Sequence, residues 1–318
     1  MHKKTCLICK NVSWEKEFSI QDIFDEQYNF GRCSSCLVHS LNPFPSNSQL
    51  QQAYDDSYYG EGVTKFNSIV EKIIDWFRAQ NAKRFSKIIP LNAKVLDIGC
   101  GNGSFLYSLS KQGEFKLFGI EPPGKSAQRA GKYKQIELHT GYLEPQTYQP
   151  NTFDAIVLTH VFEHLPDPFQ SLSVIDRIAK ADALLQIEIP NINSWQFRFF
   201  KSKWLHLDPP RHLNMFPPQV LIDHLNAGGW QLVSQSFISP QFSPFGFQQS
   251  MLNLVCKKRE VLYEHLKNNK AYVSSYSSFS LFAQLIFHWL SFPLFVCTDL
   301  IASLFKRGAT VKLKFRKR

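Results

Sequence analysis

Residues 94–105, "KVLDIGCGNGSF", decide how the rest of the chain reads. A short apolar run leads into Asp97, and glycines follow at positions 99, 101 and 103. Three alternate glycines permit a tight turn and let main-chain groups approach a ligand without Cβ clashes. A dinucleotide fingerprint would run G-x-G-x-x-G and aim a helix N-terminus at a pyrophosphate. Here the spacing is G-x-G-x-G, and the Asp97 carboxylate repels a pyrophosphate but attracts a cationic or amine-bearing ligand. The turn is therefore expected to favour such a ligand over a nicotinamide dinucleotide.

Outward from this turn, strand-like runs alternate with amphipathic helical ones: "KVLDIG" then 104–111, "KLFGIE" then 124–132, "FDAIVLTH" then 168–179. "ALLQIEIP", the helix-like "PPQVLIDHLNAGG" and "WQLVSQSF" follow. Repeated β then α predicts an α/β fold, a parallel sheet with helices on both faces and its ligand at the carboxyl edge of the strands. The second edge, "LFGIEPPG", ends a strand on Glu121, about twenty residues past the first, where an acid accepts hydrogen bonds from ribose hydroxyls. An acid at a helix entry is the plainer alternative. An amine-gripping end and a ribose-gripping end together describe S-adenosylmethionine.

"VLDIGCGNG", "GIEP" and "FDAIVLTHVFEHLPDP", in this order, resemble the class I S-adenosylmethionine-dependent methyltransferases over roughly 94–237 plus the final segment. With two C-x-x-C pairs in front and "DPPRHLNMF" behind, the chain is similar to a bacterial subfamily with an N-terminal zinc-binding unit, associated with small-molecule and glycan modification. The resemblance implies a Rossmann-like seven-stranded sheet. It sets Asp97, Gly99 and Gly101 along the methionine part of the donor and Glu121 on its ribose. Gly141, Tyr142 and Leu143 of "TGYLE" fall near the adenine, with Tyr142 and Leu143 where the family commonly has an acid. Thr159 and His160 fall near the sulfonium. The terminal "ATVKLKF" alternates with period two, as an edge strand does, and by resemblance is the last, antiparallel strand.

Methyl transfer is an in-line displacement, so alignment does most of the work and a base is needed only where the acceptor must lose a proton. Two stretches offer candidates. "HVFEH" supplies His160, Glu163 and His164, which position a hydroxyl or hold a divalent ion if they converge. It resembles the metal-binding Glu-His region of ubiquinone-pathway O-methyltransferases, with His160 in place of the first carboxylate. "WLHLDPPRHLNMF" supplies Trp204, His206, Asp208, Arg211 and His212 on a long loop suited to closing over a ligand. His212 is the expected base, with Glu163 and His164 in catalytic roles and Trp204, His206 and Arg211 on the substrate; the alternative is a Pro-Pro corner that only pins the loop. Neither "NPPY" nor "DPPY" follows the fourth strand, so likeness to the nucleic-acid amino-methyltransferases fails. Nucleic acid is not the expected partner, although an RNA-directed enzyme stays among the alternatives.

Cys6 and Cys9 in "CLIC", and Cys33 and Cys36 in "CSSC", form two C-x-x-C turns separated by 23 residues. Four thiolates at that spacing surround one tetrahedral zinc and leave no open position for water, so a structural rather than catalytic metal is expected. The basic N-terminus lacks the apolar stretch of a secretory signal, which points to a reducing cytoplasm without disulfides. A helical pattern over 63–89 puts Ile69, Ile73, Ile74, Trp76, Phe77 and Phe85 on an apolar face.

Residues 241–308 read as a helical insertion before the last strand. Gln284, His288, Pro293 and Asp299 interrupt its apolar core, which argues against a membrane span and suggests two short helices meeting at Pro293. They could pack on the domain, form a homodimer face, or lie on a membrane surface. The last thirteen residues hold seven of the cations behind a net charge of +10 and no acid. That patch faces an anionic partner or is a solvated tail. The organisation expected is thus a zinc-binding unit over 1–45, a connector with helices over 46–92, and a methyltransferase domain over 93–240 with 309–318 around the insertion. The acceptor expected is a hydroxyl of a small molecule, sugar or lipid-linked intermediate. A quinol-type O-methyltransferase at the membrane is the rival, with peripheral contact through 279–318.

Overall fold

A computed structural model describes residues 5, 6, 8–54 and 68–318. The expected helical residues 63–67 lie outside the described residues, as do the side chains of Ile69 and Ile73.

Eleven strands among the described residues form two sheets. The larger has seven, in the order β10 (Trp230–Ser236), β11 (Thr310–Lys317), β8 (Ala179–Pro190), β7 (Phe153–Thr159), β4 (Lys94–Ile98), β5 (Lys116–Glu121), β6 (Ile136–Thr140). Strands β8, β7, β4, β5 and β6 run parallel, and β11 is antiparallel to both neighbours. The central strands are near-continuous apolar runs because helices cover both faces. On one face Leu172 and Ile175 of α5 (Pro168–Ile178) and Leu221 and Leu225 of α7 (Pro218–Ala227) share a core with Leu96, Ile156 and Leu185. On the other, Phe85 of α2 (Ser68–Ser86), Leu106 and Leu109 of α3 (Ser104–Ser110) and Ala130 of α4 (Lys125–Ala130) pack on Val95, Val157 and Leu184. This is the Rossmann-like seven-stranded sheet that the resemblance implies, with the helices on both faces expected from the alternation.

Several expectations need correction. The terminal strand is interior, since β10 pairs along its outer side and its apolar positions Val311, Leu313 and Phe315 are fully buried. The basic terminus is likewise not a solvated tail: Lys312 reaches Glu188 at 3.0 Å, Lys317 reaches Asp176 at 3.2 Å, and Arg316 donates to the Asp182 and Ile88 carbonyls. Trp76 does not share the buried face of α2 and is largely exposed, whereas Phe85 is core.

The smaller sheet pairs β1 (Trp14–Gln21), β2 (Gln27–Cys33) and β3 (His39–Asn42) with β9 (Asn214–Met215). Strand β9 comes from the "RHLNMF" stretch, with His39 opposite Met215 and Ser40 opposite Asn214. Beneath it a core of Phe30, Leu41, Phe197, Phe200 and Trp204 joins the sheet to α6 (Trp195–Phe200).

Residues 241–308 are helical: α8 (Ser243–Val255), α9 (Val261–Leu266), α10 (Lys270–Val273) and α11 (Ser278–Leu304), preceded in the chain by α1 (Asn47–Ala53) near the N-terminal sheet. The two short helices expected around Pro293 are one helix of 27 residues. Pro293 deletes a single backbone donor and its ring lies on the exposed side, so the helix continues through it. By length and composition α11 could also cross a membrane, with a mean hydropathy of 1.7, contrary to the expectation from its polar interruptions. Those polar residues all face the protein.

Candidate active site

Loops at the carboxyl edge of β4, β7 and β8 enclose a cavity of about 520 Å³ with α2, α8, α9 and α11. Its floor is the glycine turn. Gly99, Gly101 and Gly103 all take left-handed φ values, of 68°, 58° and 76°. A Cβ on Gly99 would sit 2.4 Å from Val161, whereas nothing lies within 4 Å of one on Gly101, which leaves a cradle open to a ligand.

Asp97 lines the cavity beside that cradle and is buried. Burial and the neighbouring Glu121 push its carboxyl well above the usual carboxylate range. No cation pairs with it among the described residues, so the pocket offers a buried acid an incentive to take a positively charged ligand. Glu121 is buried behind the turn, its Oε2 accepting from the Gly101 N–H at 2.9 Å, and burial lifts it to about 7 against that hydrogen bond. Glu121 itself does not line the cavity, and neither do Gly141, Tyr142 or Leu143; Tyr142 is 68 % exposed. Of the residues expected around the donor, Asp97, Gly99 and Gly101 thus line the cavity, whereas Glu121, Gly141, Tyr142 and Leu143 do not.

At the tip of β7, Thr159 and His160 line the cavity. His160 takes φ 53°, a conformation that costs a branched or bulky residue energy and concentrates at functional sites. Its backbone N–H donates to the Glu188 carbonyl at 2.8 Å, and its Nδ1 lies 3.1 Å from Glu163 Oε1. Glu163 is buried, yet the His160 hydrogen bond and the His212 and His164 rings outweigh burial and hold its carboxyl at about 2. Its other oxygen, Oε2, has no hydrogen-bond partner among the described residues.

Two further imidazoles face this carboxylate. His164 Nδ1 lies 3.0 Å from the Arg211 carbonyl and 2.8 Å from the Tyr54 hydroxyl. His212 Nδ1 lies 2.8 Å from the His206 carbonyl. A carbonyl only accepts, so both Nδ1 atoms carry a proton. The His212 Nε2 lies 3.9 Å from Glu163 Oε1 and 4.0 Å from Asp208 Oδ2. Burial and the His212 ring lower His164 to about 4, and burial with the His160 ring lowers His206 to about 3, so both are neutral. One donor atom from each of Glu163, His164 and His212 falls within 4.8 Å of the others, which could hold a divalent ion.

His206 lines the cavity, but Trp204 and Arg211 do not touch it. Trp204 is fully buried in the core under β1–β3, its Nε1 donating to Gln196, because its ring is needed to bridge that sheet to α6. Arg211 is buried with both faces of its fork on Asp208 and a further N–H on the Ala53 carbonyl, so it positions the loop. Substrate contact by these two side chains is therefore corrected to structural duty.

Sequence reasoning missed Gln186, Glu188 and Lys312, and the wall supplied by Tyr263, His288, Trp289 and Phe292 of the insertion. A signal existed for the first pair: Gln186 and Glu188 are polar residues two apart inside "ALLQIEIP", hence on one face of an otherwise apolar strand. Glu188 accepts from Lys312 and from Ser239 at 3.2 Å, and burial is outweighed by Lys312, which holds its carboxyl below the usual range.

At the front of the chain, Cys6 and Cys36 bring their sulfurs to 3.2 Å and Cys9 and Cys33 to 3.4 Å, with all four within 4.8 Å of one another. Zn–S bonds of about 2.3 Å in a tetrahedron require sulfurs about 3.8 Å apart, so the cluster fits a zinc-binding unit.

The model of a methyltransferase-domain family matches residues 72–235. The chain is 25 % identical over 150 residues to the ubiquinone biosynthesis O-methyltransferase of Neisseria meningitidis serogroup A, covering 41 % of this chain and 62 % of that protein. It is 29 % identical over 176 residues to the tRNA U34 carboxymethyltransferase of Trichodesmium erythraeum, covering 49 % and 52 %. The chain thus spans between half and two thirds of the length of these relatives. Among solved structures, a possible histamine N-methyltransferase from Thermotoga maritima aligns with a TM-score of 0.46 at 16 % identity, over 77 % of this chain and 92 % of that one. With the family match spanning more than half its length over the parallel sheet and the glycine turn, the chain belongs to the class I S-adenosylmethionine-dependent methyltransferases.

Proposed function

We propose that this enzyme moves the methyl group of S-adenosylmethionine to a hydroxyl of a small molecule, a sugar or a lipid-linked intermediate, with His212 as the base. The observation that carries this is the setting of His212: its Nδ1–H is pinned to the His206 carbonyl, and its Nε2 lies 3.9 Å from Glu163 Oε1 and 4.0 Å from Asp208 Oδ2. The acceptor oxygen attacks the methyl carbon, the carbon–sulfur bond breaks to leave a neutral thioether, and the hydroxyl proton passes to His212 Nε2. The imidazolium so formed is stabilised by Glu163 and Asp208. Asp97 and the Gly101 cradle support the donor's amine and sulfonium end, and Glu121 can serve its ribose by letting go of the Gly101 N–H. Isothermal titration tests the donor half: wild type binds S-adenosylmethionine, and Asp97→Asn lowers affinity at least about tenfold, the value of one charge contact of 1.4 kcal/mol. Unchanged affinity in Asp97→Asn overturns the assignment of that pocket.

A second reading is favoured by the triad of Glu163, His164 and His212. Both histidines donate Nδ1–H to backbone carbonyls, the arrangement that orients metal-ligating imidazoles, and Glu163 Oε2 is buried without a partner among the described residues. These residues fit a divalent ion, which would polarise the acceptor oxygen. Here the enzyme acts as a quinol-type O-methyltransferase does, in keeping with the name of its Neisseria relative.

The four cysteines are proposed to hold one structural zinc. Metal analysis of the purified protein is expected to return one zinc per chain, and Cys33→Ser to lose it together with several degrees of melting temperature.

A further inference from the structure

Helices α8 and α11 lie antiparallel against one another and are inverted relative to ordinary surface helices. In α11 three of the five buried residues are polar: Gln284, His288 and Asp299 face the protein beside Phe295 and Ala302. His288 Nδ1 lies 2.8 Å from Gln248 Oε1 of α8, and Gln248 Nε2 donates to the His288 carbonyl and the Ser291 hydroxyl. In α8 the buried residues include Gln248, Gln249, Ser250 and Asn253. The outward faces are apolar instead, with Leu290 78 % and Leu294 61 % exposed on α11 and Val255 79 % exposed on α8. A helix facing water places its polar residues outside. Gln248 and His288 tie the two helices to each other, Ser250 and Asn253 tie α8 to the backbone of Leu205 and Lys203, and the faces left outward are apolar and call for an apolar occupant.

Charge identifies that occupant. From Phe237 to Arg318 the chain has three carboxylates, Glu260, Glu264 and Asp299, and all are buried. The same stretch has twelve lysines and arginines; Arg259 and Lys267 are buried and Lys312 and Lys317 are paired with carboxylates, and the exposed cations include those named next. Exposed cations follow directly on the exposed apolar ends: Lys257 and Lys258 after Val255, and Lys306 and Arg307 after Phe305. On the adjoining α6, whose Trp195 ring packs 5.5 Å from that of Phe305, the exposed Phe199 is followed by Lys201 and Lys203. An apolar face rimmed by cations and free of surface carboxylates matches a bilayer with anionic headgroups. A second copy of the chain would bring the same cations against each other.

We infer that α8 and α11 form a docking face for an anionic phospholipid surface, with α11 lying along the interface. The active-site cavity is walled by His288, Trp289 and Phe292 of the same helix. Docking would therefore set the acceptor side of the cavity next to the lipid, which favours the lipid-linked class of acceptor named above; the docking itself is independent of the methyl acceptor.

The test is flotation of the full chain with vesicles of phosphatidylcholine alone and of an equimolar mixture with phosphatidylglycerol, alongside sedimentation velocity without lipid. Wild type is expected to sediment as a monomer and to partition about tenfold more strongly onto the mixed vesicles. Leu290→Glu combined with Leu294→Glu is expected to abolish flotation, and Lys257→Glu combined with Lys306→Glu to remove the preference for phosphatidylglycerol. Both double variants are expected to bind S-adenosylmethionine with unchanged affinity, which establishes that they fold. Flotation indifferent to headgroup charge or to the two glutamates overturns the inference. So does a wild-type dimer that Leu290→Glu breaks and that does not float, which would assign the face to a second copy.

Discussion

Glu163→Gln lowers kcat about 10²–10³-fold while leaving the affinity for S-adenosylmethionine within a factor of two or three. The side chain keeps its shape, so the expected loss comes from charge. Three imidazoles, His160, His164 and His212, surround one carboxylate that has no Arg or Lys against it among the described residues. Under the proposed role, a proton arriving on His212 is stabilised by this carboxylate and by Asp208, which Arg211 already pairs, and neutralising Glu163 raises the barrier at the step where the acceptor is deprotonated. Steady-state kinetics with a labelled methyl donor give the ratio. The same assay on chelator-treated wild type separates the two chemical readings. Retained activity keeps the role with His212, and a loss equal to that of Glu163→Gln, reversed by added divalent ion, transfers it to a metal held by Glu163, His164 and His212.

Arg211→Met costs about 3–5 kcal/mol of stability, the penalty typical of stripping one partner from a buried ion pair. Methionine replaces most of the volume and none of the charge. Arg211 meets both oxygens of Asp208 and donates to the Ala53 carbonyl at 3.1 Å, joining the loop to α1. Without it, Asp208 is a half-buried carboxylate left with the His212 and His164 rings in place of a fixed cation. Asp208→Asn combined with Arg211→Met removes both charges and is expected to recover a good part of the loss. Urea denaturation of the two singles and the double supplies the cycle, and equal stability of the Arg211 single and wild type would reject a positioning role for this side chain.

How much of this was legible in sequence depends on how local each determinant is. The glycine turn carries its own instructions, because left-handed backbone at three alternate positions is a property of those residues alone. The parallel order of strands followed from alternation. The position of the last strand did not, since "ATVKLKF" alternates in the same way at an edge or between two antiparallel neighbours. Trp204 in a His- and Arg-bearing loop looks like a ligand contact, and only the distant pairing of β3 with β9 reveals that a core lies beneath it. Pro293 marks a bend in isolation, but a helix anchored along its length by Gln248, His288 and Asp299 absorbs one missing donor. The cavity wall was the least legible part, because Tyr263, Trp289 and Phe292 come from elements whose placement depends on how the insertion folds back.

The pairing of Ser40 with Asn214 fastens the cysteine-bearing hairpin to the stretch that seats His212. Damage at one end is thereby felt at the other. Oxidation of those thiols, or loss of a metal held by them, would slacken the grip on that histidine while the parallel strands persist, so that turnover falls before the protein unravels.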